Sequence, residues 1–137
     1  MTELPRRFQS LVIPVLRDHL GPTVKVSSWV EEVDRRKFPM VNVRRIGGAR
    51  DQKYNLLDVA NIELTAYSKD GLVECENLYQ DALLALYNAV RDQTVVPGQG
   101  HINSVLELMG MTQFGSLYSD SWRVQGVIEL RIRPSQD

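Results

Sequence analysis

Two histidines and a single cysteine are the side chains of this 137-residue chain best suited to acid–base or nucleophilic catalysis. His19 lies at the end of a predicted helix, and His101 lies in a predicted turn. Cys75 lies beside the apolar stripe of a second predicted helix. A catalytic Ser or Cys needs a base within hydrogen-bond reach, and these positions indicate no such pair. We expect Cys75 to be a small buried hydrophobic residue and the protein not to be an enzyme.

Potential ligand residues do not follow the spacing of a metal or nucleotide site. The sequence contains no HExxH, CxxC or EF-hand pattern. Gly47-Gly48 has no P-loop continuation, and Gly98–Gly100 does not open a helix that carries a lysine. Neither glycine segment therefore predicts a phosphate cradle, and we expect no metal ion and no cofactor.

Basic residues cluster around a glycine-rich segment, GGARDQKYN, at positions 47–55. This predicted loop has no interleaved aromatic side chains on which single-stranded bases could stack. A net charge of −1 also opposes DNA wrapping as the main function. The simplest interpretation is a solvated loop tip, and among functional interpretations we prefer a protein-docking loop to nucleic-acid recognition. The candidate docking residues are Arg44, Arg45, Arg50 and Lys53.

The predicted N-terminal helix, from Pro5 to His19, is apolar over about half of its circumference. That arc is wider than the ~100° stripe of a one-sided surface helix. Pro14 should kink the helix or break one of its hydrogen bonds. The wide arc favours either burial in the subunit's own core or a contact between subunits. Candidate interface residues are Leu11, Ile13 and Leu16, together with Leu84 on the polar side of the second helix.

Alternating apolar residues predict a sheet covered by helices. The expected strands are 23–29, 40–46, 59–67, 102–109 and 122–133, and the second helix runs from an Asp70 N-cap to about Asp92. Segments 94–100 and 110–120 are predicted to be a turn and a polar loop. We predict a single α+β domain over 1–137, with a four- to five-stranded, mainly antiparallel sheet and two helices packed on one face. No apolar run reaches the ~18–20 residues of a membrane helix, and one cysteine suits a reducing cytoplasm.

The segments LVIPVLRDHL, VANIELTAY and WRVQGVIELRIR, in this order, resemble the tail terminator proteins of long-tailed phages, especially phages that infect actinobacteria. The likeness covers nearly the whole chain through the order of its elements. It implies a homo-hexameric ring that caps the tail tube, ends tube polymerisation and offers a surface for head–tail joining. The implied partners are further copies of the chain, the major tail tube protein and a head-completion or connector protein. DNA would only pass through the lumen of a ring assembled in the host cytoplasm and retained in the virion at the tail–neck junction.

Several alternatives stay open at this point. The resemblance supplies no motif residues, so we predict docking to neighbouring rings through loops 47–55 and 110–120 on physical grounds. Another neck component, such as a head-closure or connector subunit, or a tail-tube subunit, has a similar small fold. An unrecognised enzyme would show a pocket that places His19 or His101 beside a carboxylate. A nucleic-acid binder would show a DNA affinity that falls steeply as the salt concentration rises.

Overall fold

The computed structural model describes residues 8–28, 38–50, 57–115 and 121–133. Two helices lie among strands in the order expected from the periodicity. The helices and strands are α1 (Phe8–Leu20), β1 (Lys25–Ser27), β2 (Met40–Arg50), β3 (Asp58–Ser68), α2 (Leu72–Arg91), β4 (Val95–Val96), β5 (Gly100–Phe114) and β6 (Trp122–Arg133).

Within the described residues the strands form one six-stranded sheet in the order β1-β2-β3-β6-β5-β4. The β1–β2 pair is parallel and the other pairs are antiparallel. The prediction of four to five mainly antiparallel strands is therefore close but one strand short. The missed strand is β4, whose two residues pair with His101 and Gly100. Two residues are too few to show an alternating pattern.

The glycine-rich segment that the sequence predicts as a loop begins inside a strand. β2 continues through Gly47 and Gly48 to Arg50, paired with β3. At Gly48 the φ angle is +96°, and a Cβ there would collide with the backbone carbonyl of Val59. Only glycine fits such a close backbone approach. The glycine pair therefore marks an irregular strand instead of a loop, and residues 51–56 lie outside the described part.

The predicted polar loop at 110–120 is wrong over its first half. β5 runs through these residues to Phe114 and pairs with β6, with shifts in register after Ile102, Glu107 and Met109. These irregularities break the alternation of apolar and polar residues that would have indicated a strand. Residues 116–120 lie outside the described part, so only Gly110 to Gly115 test this prediction.

One face of the sheet and both helices form the hydrophobic core. In β3 the inward residues Ala60, Ile62, Leu64 and Ala66 are fully buried, as the alternation predicts. The neighbouring positions of β6 continue this face. The helices contribute their apolar sides to the same cluster through Phe8, Leu11, Val12, Leu16, Cys75, Leu78, Tyr79, Ala82, Leu83, Ala85, Leu86 and Ala89. The core therefore lies between the helices and the sheet.

Pro14 in α1 agrees with the predicted loss of a hydrogen bond, whereas the start of α2 differs from the prediction. α1 continues through Pro14, which is exposed and leaves the carbonyl of Ser10 without its helical N–H donor. α2 starts after Gly71, with φ 126°, and has no side-chain cap, so the expected Asp70 N-cap is wrong. The backbone N–H of Asp70 instead donates to the Ser68 hydroxyl at 3.1 Å. This contact turns the chain one residue before the helix begins.

Candidate functional site

The described parts of the two predicted docking segments lie towards opposite ends of the sheet. β3 pairs with β6 from Asp58–Ile132 at one end to Ser68–Trp122 at the other. β2 ends and β3 begins at the Asp58 end, whereas β5 ends and β6 begins at the Trp122 end. Because a strand rises by about 3.3 Å per residue, the ends of the 11-residue β3 are roughly 33 Å apart. One subunit can therefore present two separate binding ends.

The candidate basic cluster does not form a single patch. Neighbouring residues of a strand point to opposite faces, so Arg44 lies on the open face of the sheet and Arg45 on the helix-covered face. The Arg44 Nε donates to Glu63 Oε1 at 2.8 Å. Arg50 is described only by its backbone, and Lys53 lies outside the described residues.

Arg45 has a structural role at the root of the β2–β3 hairpin. Its guanidinium donates to both carboxylate oxygens of Asp58, at 2.7 and 2.9 Å. The Asp58 side chain retains only 7% of its accessible surface, whereas that of Arg45 retains 33%. The hydrogen bonds to Asp58 raise the pKa of Arg45, against the opposing effect of burial. This pair links Arg45, which lies opposite Ile62, to Asp58 in the last residue pair of the two strands, so it stabilises the base of the hairpin.

A polar network crosses three strands on the open face, which is the sheet face opposite the helices. Gln125 Nε2 donates to Glu63 Oε2 at 2.8 Å, and Thr65 Oγ1 donates to Gln125 Oε1 at 3.3 Å. The network lines a depression of about 290 Å³ together with Arg44 and Arg123. Its groups are carboxylate, amide, hydroxyl and guanidinium, and each of the two side-chain oxygens of Glu63 has a donor. The arrangement is suited to fixing the sheet and to polar contacts with a neighbour.

The base of the β5–β6 hairpin carries a different contact. Arg123 lies over the ring of Phe114, with its Cζ 5.2 Å from the ring centroid. These residues face each other across the last described pair of the two strands. A cation over an aromatic ring is stabilising at this distance. The contact therefore stabilises the base of the β5–β6 hairpin, as the Arg45–Asp58 pair does for the β2–β3 hairpin.

A groove between the helices contains one of the two histidines. It has a volume of about 470 Å³ and includes His19, Asp18 and Asp92 in its lining. The enzyme alternative predicted a histidine beside a carboxylate, and this groove places such groups together. No Ser or Cys is among the described residues that line it. Cys75 is buried elsewhere, as predicted, and burial raises the pKa of its thiol to about 11. The described lining therefore offers neither a serine nor a cysteine nucleophile.

The described residues contain neither a metal-binding cluster nor a membrane-spanning helix. No group of three or more His, Cys, Asp or Glu side chains in this part of the chain could hold a metal ion. None of the described helices is both long enough and apolar enough to cross a membrane.

The four candidate interface residues divide into buried and accessible pairs. Leu11 and Leu16 retain 2% and 0% of their accessible surface, because the subunit's own sheet and α2 cover them. Ile13 is half-buried, and Leu84 is 47% exposed. An interface formed by these predicted residues therefore has to use Ile13 and Leu84.

Sequence reasoning missed three exposed aliphatic residues on β2 and β5. Ile46 on β2 is 46% exposed, and Leu106 and Leu108 on β5 are 56% and 51% exposed. Ile46 and Leu108 are each the extra residue at a shift in strand register. The sequence VLELM in β5 could have indicated this exposure, because it contains more apolar residues than one buried face of a strand can hold.

Comparison with known proteins gives a consistent set of relatives. Residues 5–137 match the sequence profile of a family described as phage tail termination protein. The Gene 22 protein of Mycobacterium phage D29 is 50% identical over 129 residues, which are 93% of this chain and 92% of that protein. The Gene 22 protein of Mycobacterium phage L5 is 48% identical over 135 residues, 97% and 96% of the two chains. A chain from the virion of a native gene transfer agent particle is 17% identical, with a TM-score of 0.45 over 92% of this chain and 90% of that chain.

Proposed function

This chain belongs to the phage tail termination protein family, and we propose that it forms a ring that caps the tail tube and ends its polymerisation. Family membership makes it a structural component of the phage tail. In the finer proposal the same ring also provides the surface for head–tail joining. The mechanism is binding, since the end of a growing tube is blocked when its last subunits are covered by a protein that cannot itself be extended.

The observation that carries this proposal is the opposite placement of the two hairpins. A cap between tube and head needs one surface for each neighbour. The β2–β3 hairpin leaves the Asp58 end of the sheet, and the β5–β6 hairpin leaves the Trp122 end. When subunits stand side by side in a ring with their strands roughly along its axis, these hairpins reach opposite faces of the ring. Each face then has its own docking loop.

The partners follow from this arrangement. The ring consists of copies of this chain, for which we propose a homo-hexamer assembled in the host cytoplasm. One face contacts the major tail tube protein, and the other contacts a head-completion or connector protein. DNA passes through the lumen without specific contacts, which fits a net charge of −1, because tight DNA binding requires many lysine or arginine contacts to phosphates.

Electron microscopy tests this proposal directly. Phage lacking the gene should produce overlength tubes without heads, and the wild-type gene supplied in trans should restore tails of uniform length. Purified protein added to tube ends should appear as a ring at the terminus. Tails of normal length joined to heads in the absence of the gene would overturn the proposal. Copies along the whole tube would instead identify a tube subunit, and copies on isolated heads would identify a connector.

A further inference from the structure

The two outer edges of the sheet carry different chemistry. β2 contributes one edge, because β1 covers only Met40 to Asn42 and no described strand pairs with the outer side of residues 43–50. β5 contributes the other edge, because β4 covers only Gly100 and His101 and no described strand pairs with the outer side of 102–114. Long edges of this kind attract further strands unless a partner or a charged side chain covers them.

The side chains along these edges differ in charge but share one apolar feature. β2 contains three arginines and no acidic residue, whereas the only charged residue of β5 is Glu107. These charges do not face each other, because Arg44 lies opposite Glu63 on the open face and Glu107 lies opposite Ile128 on the helix-covered face. Each edge also presents an exposed aliphatic residue at a bulge, Ile46 on β2 and Leu108 on β5.

The strand directions permit pairing between copies. β2 and β3, β3 and β6, and β6 and β5 are successive antiparallel pairs. β2 and β5 therefore run in opposite directions in one subunit. When subunits are related by rotation about a ring axis along the strands, the β5 edge of one copy meets the β2 edge of the next in antiparallel orientation. Such a contact uses two different surfaces and can close into a ring.

We propose that the β2 edge of each subunit, residues 43–50, packs against the β5 edge of the next subunit, residues 102–114, and that this contact closes the ring. The inference rests on the proposed ring function and names the surface that builds it. Ile46 packs beside Leu106 and Leu108 of the next copy.

Cysteine cross-linking in assembled particles tests the contact. An Ile46→Cys chain and a Leu108→Cys chain are produced together in phage lacking the gene, and purified particles are treated with a bis-maleimide that has a flexible spacer. We expect covalent dimers only when both variants are present, and a ladder up to the full ring from a chain carrying both changes. A Leu106→Cys chain replaces Leu108→Cys as a second probe of the same edge. Cys75 has no accessible surface, so it gives no background. Val73→Cys, 65% exposed on α2, reports random cross-linking.

Failure of the edge proposal and failure of the ring proposal give different results. Particles that contain the protein as a ring but yield no link from position 46 to 106 or 108 would overturn the edge proposal and leave the cap intact. Links between two copies of the same variant would also overturn it. Particles of normal length without the protein would overturn the proposed function itself.

Discussion

Gly126 in β6 provides a test of core packing. A Cβ at this position would collide with the Tyr79 hydroxyl, lie 2.8 Å from the Tyr79 Cζ and lie 2.9 Å from the Met109 carbonyl oxygen. Its φ lies outside the left-handed region, so the backbone itself accepts alanine. Without the clash, Gly126→Ala would stabilise the fold by about 0.4–1 kcal/mol, because alanine lowers the conformational entropy of the unfolded chain. The sign of the effect therefore depends on whether the neighbours can move.

The neighbours have little room to move. Tyr79 is 1% exposed within the core, and the Met109 carbonyl belongs to the β5 strand beside Gly126. Overpacking a core costs about 1–3 kcal/mol, and we expect Gly126→Ala to lie at the upper end because one obstacle is backbone. For a domain of this size a loss of ~3 kcal/mol corresponds to a fall in Tm of roughly 10 °C.

Thermal and urea unfolding, followed by circular dichroism, measure this loss. Gly110→Ala is the matched control, since its Cβ would have no contact closer than 3.7 Å, and its effect should stay within about 0.5 kcal/mol. Tyr79→Phe removes a buried hydroxyl that has no hydrogen-bond partner among the described residues. The double variant should therefore lose less stability than the sum of the single changes. Wild-type stability in Gly126→Ala, or strict additivity with Tyr79→Phe, would refute the reasoning.

Three further predictions concern the hairpins, the Arg45–Asp58 pair and the cysteine. Replacing residues 51–56, or residues 116–120, with Asn-Gly should leave the fold intact in unfolding assays. Each change should abolish a different step, tube capping or head joining, as measured by complementation and electron microscopy. If neither step is lost, the docking assignment is contradicted. Asp58→Asn should destabilise the fold by about 1 kcal/mol in urea, a value reduced from the ~1.5–3 of a buried charged hydrogen bond because Arg45 is one-third exposed. Burial raises the pKa of Cys75 from 9.0 to about 11, so the folded state favours the neutral thiol. The free energy of unfolding should therefore be highest below pH 9 and should fall by roughly 2–3 kcal/mol as the pH rises through 11. Denaturant titrations at pH 8 and 11 measure this fall, and a Cys75→Ala chain with the same pH dependence as wild type would contradict it.

Much of the fold could be predicted because its central elements keep a regular period. β6 matches the predicted 122–133, and β3 and α2 agree with prediction to within two residues at each end. The resemblance to tail terminators of actinobacterial phages is confirmed by the family match and by the mycobacteriophage relatives. The errors concern the outer strands. There, glycines and bulges interrupt the alternation, and only pairing with a neighbouring strand shows that the chain stays extended.

The site was harder to predict, for a related reason. The predicted strand 40–46 already contains Arg44 and Arg45, and because successive side chains alternate between faces, it separates them. Grouping both residues with the loop overlooked this alternation, and the glycine pair that follows concealed the extension of the strand to Arg50. The partner of Arg45 is Asp58, which is distant along the sequence and adjacent only after the hairpin closes. The exposure of Leu108 depends on a register shift. No local pattern reveals either of these.

The geometry of the sheet separates two requirements that a ring-forming cap must satisfy. The hairpins leave a sheet along the strand direction, whereas the sheet edges face the perpendicular direction. Docking through the hairpins and joining of subunits through the edges therefore use different residues. Changes at 51–56 or 116–120 should then leave rings that form normally but fail at one face. Changes at Ile46 or Leu108 should instead weaken the ring, and both tube capping and head joining should fail together because each neighbour binds the assembled face. Native mass measurement with the complementation assay distinguishes these outcomes. A hairpin variant that fails to form rings, or an edge variant that loses only one of the two steps, would show that ends and edges are not independent.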